Sequence, residues 1–307
     1  MALSTQRISI IGAGLMGHGI ALTFARHGYP VSIHDPDASA LDTLHQRVYD
    51  SLLAMGIKQA DANNSISLIK LNASLSDCVA DATIVFEAAP EKLSLKQKIF
   101  AGVEAAAPAE CIFASNTSVI LISKIMGELK DKSRALGTHW WNPPHMIPLV
   151  EIIRTQWTDN TAMDSVQSLL INVGKKAVRV EKDVPGFIGN RLQHALWREA
   201  ISLVERGICS AEAVDEVVMS SFGRRLAVLG PLANADLVGT DLTLDIHENV
   251  LFDLEHRAGP SPYLESLVSE GKLGMKSGEG FQTWTEEQAQ TVRDKVSSHL
   301  KKLNDIL

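Results

Sequence analysis

Residues 8 to 35 read ISIIGAGLMGHGIALTFARHGYPVSIHD. A β-branched apolar run enters a glycine turn, an amphipathic stretch stops at Gly28, and a second apolar run closes on an acid. Few segments restrict a fold more. The turn fits G-x-G-x-x-G at Gly12, Gly14 and Gly17, with Leu15 and Met16 opening the helix, and Asp35 stands twenty-three residues beyond Gly12. Any one glycine match is common. Strand, turn, helix, strand and terminal acid together are the spacing of a βαβ unit that binds a dinucleotide. Gly12 would allow the sharp turn, Gly14 the close approach of backbone to a pyrophosphate, and Gly17 the contact of helix with strand. The helix N-terminus would then face the phosphates with free N–H groups. Asp35 can accept hydrogen bonds from ribose hydroxyls and would repel a 2′-phosphate, which favours NAD over NADP. FAD, which uses the same turn, is the runner-up.

The alternation continues. A long helix is expected from about Ala38 to Gly56, then a strand at ATIVFEAAP, a helix at SLKQKIFAGVEAAA, a strand at CIFASNTS and a helix in VILISKIM. Strand candidates follow at RALGTHWW and LVEIIR, a helix from Met163 to Val173, and a strand at KKAVRVEKD. Strand and helix in repetition mean parallel crossovers and a doubly wound α/β sheet of Rossmann type. After KDVPGFIGN the periods are almost all helical, including one through LTLDIHENVLFDLEHRAG. The expected organisation is a nucleotide-binding domain at 1–184 and an all-helical domain at 185–307, the latter apolar enough to form a dimer interface.

Other classes lose support. The chain of 307 residues carries a net charge of −7 with no block of Lys and Arg, so nucleic acid has no electrostatic footprint. Cys78, Cys111 and Cys209 are an odd, scattered set without metal-ligand spacing. No apolar stretch is long enough to span a membrane. The amino terminus enters a strand-like run too soon to hold a signal sequence, so the cytoplasm is the expected compartment.

GTHWWNPPH, residues 137–145, carries the candidate chemistry. Oxidising an alcohol with NAD requires a base that takes the hydroxyl proton as hydride leaves the same carbon, and histidine suits this near neutrality. His139 lies where a strand runs out into a loop, the place where open α/β sheets bind ligands. Glu151 returns twelve residues later, in position to pair with the imidazole, and Asn142 offers a hydrogen bond. A rigid apolar corner is the simpler alternative for this stretch. Asn116 and Ser118 in ASNTS end another strand; they fit N-caps of the next helix or groups facing the nicotinamide, and spacing leaves both open.

The motifs IGAGLMGHGIA, FEAAPEKLSLKQKIF, ASNTS, HWWNPPHMIPLVE, VPGFIGNRL and KLGMKSGEGF occur in this order between residues 7 and 284. In this the chain resembles the 3-hydroxyacyl-CoA dehydrogenase family, including relatives that oxidise free 3-hydroxy acids such as gulonate and carnitine. The resemblance implies oxidation of a 3-hydroxyl to a 3-ketone with NAD, by a homodimer joined through the helical domain. It implies His139 as general acid/base, Glu151 as its orienting partner, and Ser118 and Asn190 near the reacting oxygen. Glu91, Lys96, Ser118 and Asn142 would lie along the nicotinamide half of NAD, and Lys276 would reach the cofactor from the second domain. By itself Lys96 reads as a solvated helix charge and Asn190 as a helix-start residue. Ser51 and Lys58 match the positions that hold the adenosine part of CoA, which makes an acyl-CoA the first expectation for substrate. NPPHMIPLVE and FGRRLAVLGPL are closer to the free-acid branch, with Trp140 and Trp141 narrowing the pocket and Arg224 and Arg225 available to a carboxylate. A non-catalytic, crystallin-like NAD-binding protein is the remote alternative.

Overall fold

The computed structural model describes residues 6–306, apart from the side chain of Asp305. The chain divides into two compact units. The first comprises residues up to Arg191 together with His299 onward, and the second Leu192–Ser298.

The first unit runs β1 (Ile8–Ile11), α1 (Leu15–Arg26), β2 (Val31–His34), α2 (Ala38–Asp42), α3 (Leu44–Ala54), α4 (Gln59–Ser67), β3 (Ile69–Asn72), α5 (Leu75–Val79) and β4 (Ile84–Glu87). It continues with α6 (Leu93–Ala106), β5 (Ile112–Ser115), α7 (Ile122–Ile125), β6 (Ala135–Trp140), β7 (Leu149–Ile153), α8 (Asn160–Asn172) and β8 (Lys176–Val180), and takes in the start of α9 (Gly189–Glu205). The eight strands form one sheet in the order β3-β2-β1-β4-β5-β6-β7-β8. Strands β1 to β6 pair in parallel, β7 runs antiparallel to β6, and β8 is parallel to β7. Parallel strands buried on both faces need apolar residues at consecutive positions, as in ISII and IVFE. One face of the sheet packs Ile8, Ile10, Phe86, Leu136 and Trp140 against α1, α3 and α8. The other packs Ile11, Val85, Phe113 and Ile153 against α5, α6 and α7.

Several expected elements differ. The helix expected over Ala38–Gly56 is two helices parted at Thr43. The helix in VILISKIM is the single turn α7, whose first amides, Ile122 and Ser123, are capped by Asp183. Its cap is therefore neither Asn116 nor Ser118. Helix α8 starts at Asn160, three residues before Met163.

The second unit holds the rest of α9, then α10 (Ala211–Ser220), a 3-10 turn at Phe222–Arg225, α11 (Pro231–Val238), α12 (Thr240–Val250), α13 (Pro262–Ser269) and most of α14 (Glu286–Ile306). Helix α12 stops at Val250, well short of the run expected through Gly259. Among its described residues only Ser202, Leu267 and Ala289 are buried. Its apolar side chains lie mainly at the surface, Leu232, Phe252 and Val228 among the most exposed. The units divide after Arg191, beyond the expected 184/185 boundary, because the first turn of α9 is held by Glu151 and Ser118 of the first unit.

Candidate active site

The glycine turn leaves β1 at a point where no other residue fits. Gly12 has φ +107°, and a Cβ there would come within 2.7 Å of the Ala88 carbonyl oxygen. A Cβ on Gly17 would lie 1.8 Å from the Gly12 oxygen, so this glycine permits the contact of α1 with the turn. Gly14 differs: it is exposed, nothing lies within 4 Å of its Cβ position, and no side chain caps α1. The result is an open cradle of backbone at a positive helix end, which fits a dinucleotide pyrophosphate. Leu15 is exposed and Met16 half-buried at the same helix start. The Asp35 carboxylate is fixed at the β2 end by the Ala13 amide (2.7 Å) and the Asp37 amide (2.9 Å). Its remaining lone pairs can meet ribose hydroxyls.

His139 and Glu151 are direct cross-strand partners in the antiparallel β6–β7 pair. Opposed side chains on one face approach closely, and here His139 Nδ1 lies 2.7 Å from Glu151 Oε2, with both groups buried. Glu151 Oε1 accepts from the amides of Ile188 (2.9 Å) and Gly189 (3.0 Å) at the start of α9. Burial pushes the Glu151 carboxyl up, but the bonds from His139, Gly189 and Ile188 outweigh it and hold the group below the ordinary carboxylate range. An ionised Glu151 can only accept, so His139 Nδ1 donates to it and Nε2 is the ring nitrogen that this bond leaves open. Trp141 and Phe187 flank the imidazole, with ring centroids 5.2 and 5.5 Å away. Trp140 does not narrow this space as expected. Alternation along β6 sends it to the opposite face, 2% exposed, among Phe24 and Phe86.

The ends of β4 and β5 are joined by a charge cluster that the sequence concealed. Lys96 reads as a solvated helix charge, yet it is fully buried. Its ammonium donates to Glu87 Oε1 (2.7 Å) and the Ala89 carbonyl (3.1 Å) and lies 3.4 Å from Glu91 Oε2. It has no surface to present to a cofactor, which is at odds with the expected direct contact with the nicotinamide half; its ammonium faces Glu87, Ala89 and Glu91 instead. Glu91 is partly exposed and accepts from the Thr117 hydroxyl and the amides of Ser118 (3.1 Å) and Val119 (3.2 Å). Burial raises its pKa, and the bond from Thr117, the Lys96 charge and the bonds from the Val119 and Ser118 amides bring it below the usual value. Asn116 Oδ1 accepts from the Trp140 amide at 2.9 Å, tying β5 to the residue after His139. Asn190 Nδ2 donates to the Ser118 carbonyl at 3.0 Å, so Ser118 and Asn190 are brought together. Glu87 and Thr117 were missed by sequence reasoning. The available signal was the i, i+4, i+7 stripe of Lys96, Phe100 and Val103, all buried.

The remaining candidates are dispersed. Asn142 is exposed at the start of the loop that follows β6. Ser51 lies on α3, its Oγ 3.0 Å from His18 Nε2, and Lys58 is the exposed N-cap residue of α4. Lys276, Arg224 and Arg225 are exposed in the second unit, Lys276 in the turn between the bridged residues Gly274 and Glu279. Among the described residues no cluster of His, Cys, Asp or Glu could hold a metal, and no helix is long and apolar enough to cross a membrane.

Residues 7–184 match the family model of the 3-hydroxyacyl-CoA dehydrogenase NAD binding domain, and residues 186–284 that of its C-terminal domain. A 5-formyl-3-hydroxy-2-methylpyridine 4-carboxylate 5-dehydrogenase of Mesorhizobium japonicum is 34% identical over 305 residues, covering 98% of each chain. A crystal structure of an enzyme of that activity, described as an NAD+ dependent dismutase, superposes with a TM-score of 0.91 at 33% identity and 98% coverage of both chains. The (S)-3-hydroxybutyryl-CoA dehydrogenase of Ralstonia eutropha gives a TM-score of 0.77 at 32% identity, over 92% of this chain and 100% of its own. With a backbone cradle at Gly12–Gly17 that fits a dinucleotide and both domain models matched in order, the chain belongs to the 3-hydroxyacyl-CoA dehydrogenase family and is an NAD-dependent oxidoreductase.

Proposed function

We propose that the enzyme interconverts a hydroxyl-bearing carbon and its carbonyl on a free carboxylic acid, with His139 as the acid/base. In oxidation, His139 Nε2 takes the hydroxyl proton while hydride leaves the same carbon; bound NAD supplies the hydride acceptor. Glu151 holds the tautomer and offsets the charge of the imidazolium. Ser118 and Asn190 position the reacting oxygen, and Glu91, Asn116 and Asn142 face the nicotinamide side.

The state of Ser51 carries the choice of a free acid over a CoA thioester. His18 Nδ1 donates to the Leu15 carbonyl at 3.1 Å, and burial, opposed by that bond and aided by the Arg47 charge, keeps the ring below its ordinary pKa. A neutral ring with Nδ1 protonated leaves Nε2 as acceptor, so the Ser51 proton is spent on His18. A hydroxyl that can only accept repels a phosphate oxygen. The α3–α4 segment itself adds no net positive charge, and Lys301, its Nζ 3.8 Å from the Cβ position of Gly56, is a cation from outside it. Arg47 and Lys58 are balanced by Asp50 and Asp61 across residues 44–67. The Arg47 guanidinium is committed to the Ala13 and Ala40 carbonyls, each at 2.7 Å. The similarity over full length to the pyridine-carboxylate dehydrogenase supports the same reading. A CoA thioester is the second reading, favoured by the placement of Ser51 and Lys58.

The test follows NADH absorbance with 3-hydroxybutyryl-CoA and a panel of free acids in parallel, including gulonate, carnitine and 5-formyl-3-hydroxy-2-methylpyridine 4-carboxylate. Turnover of a free acid at far higher kcat/KM is expected, and preference for the thioester overturns the reading. The apolar surface of the second unit supports assembly as a homodimer, which light scattering after gel filtration checks.

A further inference from the structure

Lys175 has no part in the chemistry above, yet it is buried at 7% exposure in the turn between α8 and β8. Its Nζ donates to the carbonyls of Pro144 (2.5 Å) and Ile147 (2.9 Å) and lies 5.3 Å from the centre of the Trp140 ring. Among the described residues no carboxylate pairs with it. Burial, with the Arg26 charge, lowers its pKa to about 8. The neighbouring titratable groups are His145, pushed down to about 4 by burial, His18 and Lys175, and His18 itself. A lysine in this place is expensive. A methionine would fill the same space without leaving a charge in it.

The two carbonyls belong to the loop between β6 and β7, which begins two residues after His139. Its internal bonds are few: the amides of Met146 and Ile147 both donate to the Pro143 carbonyl at 3.0 Å. Its backbone is further held by Lys175, by Asn304, which donates to the Met146 carbonyl at 2.9 Å, and at its far end by the Lys176 amide, which donates to the Pro148 carbonyl at 2.9 Å. Pro144 also lies against α1, where a Cβ on Gly19 would meet its ring at 2.5 Å. We infer that Lys175 is a positioning residue for the nicotinamide side of the site: by gripping the Pro144 and Ile147 carbonyls it fixes the loop that presents Asn142. The inference rests on the placement of Asn142 in the proposed function.

The experiment titrates Lys175→Met, Lys175→Gln and Asn142→Ala with NADH and, separately, with ADP-ribose, which lacks the nicotinamide. Lys175→Met leaves the buried Pro144 carbonyl and the part-buried Ile147 carbonyl unmet, so NADH binding weakens about tenfold while ADP-ribose binding stays within about twofold. Lys175→Gln keeps a donor of shorter reach and falls between, and it serves if the methionine variant does not fold. Equal loss of both ligands, or no loss, in a folded Lys175 variant while Asn142→Ala responds overturns the grip alone. Silence in both positions overturns it together with the reading of Asn142.

Discussion

Glu87 offers the sharpest test of how the site is held. Its carboxylate and the Lys96 ammonium are both fully buried, 2.7 Å apart, and Glu87 also accepts from the Ser115 hydroxyl (2.6 Å) and the Ala89 amide (2.7 Å). Glu87→Gln preserves shape and removes the charge. Stripping one partner from a buried pair costs about 3–5 kcal/mol, since the other charge is left uncompensated. The lower end applies here because Ala89 O and Glu91 still face the ammonium. Lys96 then draws on Glu91, now its sole carboxylate, and pulls it from Thr117 and the amides of Ser118 and Val119. Urea denaturation of wild type, Glu87→Gln, Lys96→Met and the double variant measures the coupling, with about 2 kcal/mol recovered in the double variant. NADH titration of the same four proteins should show affinity lost in Glu87→Gln and partly restored by Lys96→Met. A single variant within about 0.5 kcal/mol of wild type, or purely additive losses, refutes the argument.

Replacing His139 with Ala should lower kcat/KM by about 100- to 10,000-fold with NADH binding unchanged; turnover at the wild-type rate rejects the acid/base role. Gly14→Ala, with open space at its Cβ, should fold normally and lose NADH affinity, whereas Gly17→Ala, its Cβ 1.8 Å from the Gly12 oxygen, should fail to reach native stability in urea denaturation. The folded pKa of Glu151 lies below its ordinary 4.5, so its ionised form stabilises the fold fully above that value and the contribution is lost as pH falls through the folded pKa. The stability gap between wild type and Glu151→Gln, measured in urea at pH 7 and at about pH 3, should therefore shrink in acid. Ser51→Ala should leave free-acid turnover unchanged, and a selective loss of thioester turnover would restore the CoA handle.

Legibility followed the strength of local pattern. The turn from Gly12 to Gly17 was plain because steric demands at three positions coincide with strand and helix periods. The pairing of His139 with Glu151 was also visible, since two strands around a short loop bring such residues opposite each other. Strand β3 and helices α4 and α5 were missed. IKLN is four residues at a sheet edge with Lys70 exposed, and QADANNSIS buries only Ala62 and Ser65, too little for a helical stripe to register. Lys96 misled because a charge is ordinarily solvated. The partners that bury it, Glu87 and Glu91, come from a strand end and a loop that tertiary structure alone brings together.

The same contrast separates what this site conserves in geometry from what it can change. His139 and Glu151 are set by the register of β6 on β7, and the carboxylate is anchored again by two amides of α9. Moving either residue by one position would turn its side chain to the opposite face, into the layer of Trp140 and Val150. The chemistry is thereby locked to the sheet. The α3–α4 region is less constrained: Lys58 and Asp61 are exposed side chains whose exchange costs little stability, and Ser51 is tied only to His18. In the proposed function the His139–Glu151 arrangement stays fixed, and the side chains of this surface select between a thioester and a free acid. On this chain the charges within residues 44–67 cancel, and the hydroxyl of Ser51 is turned toward His18.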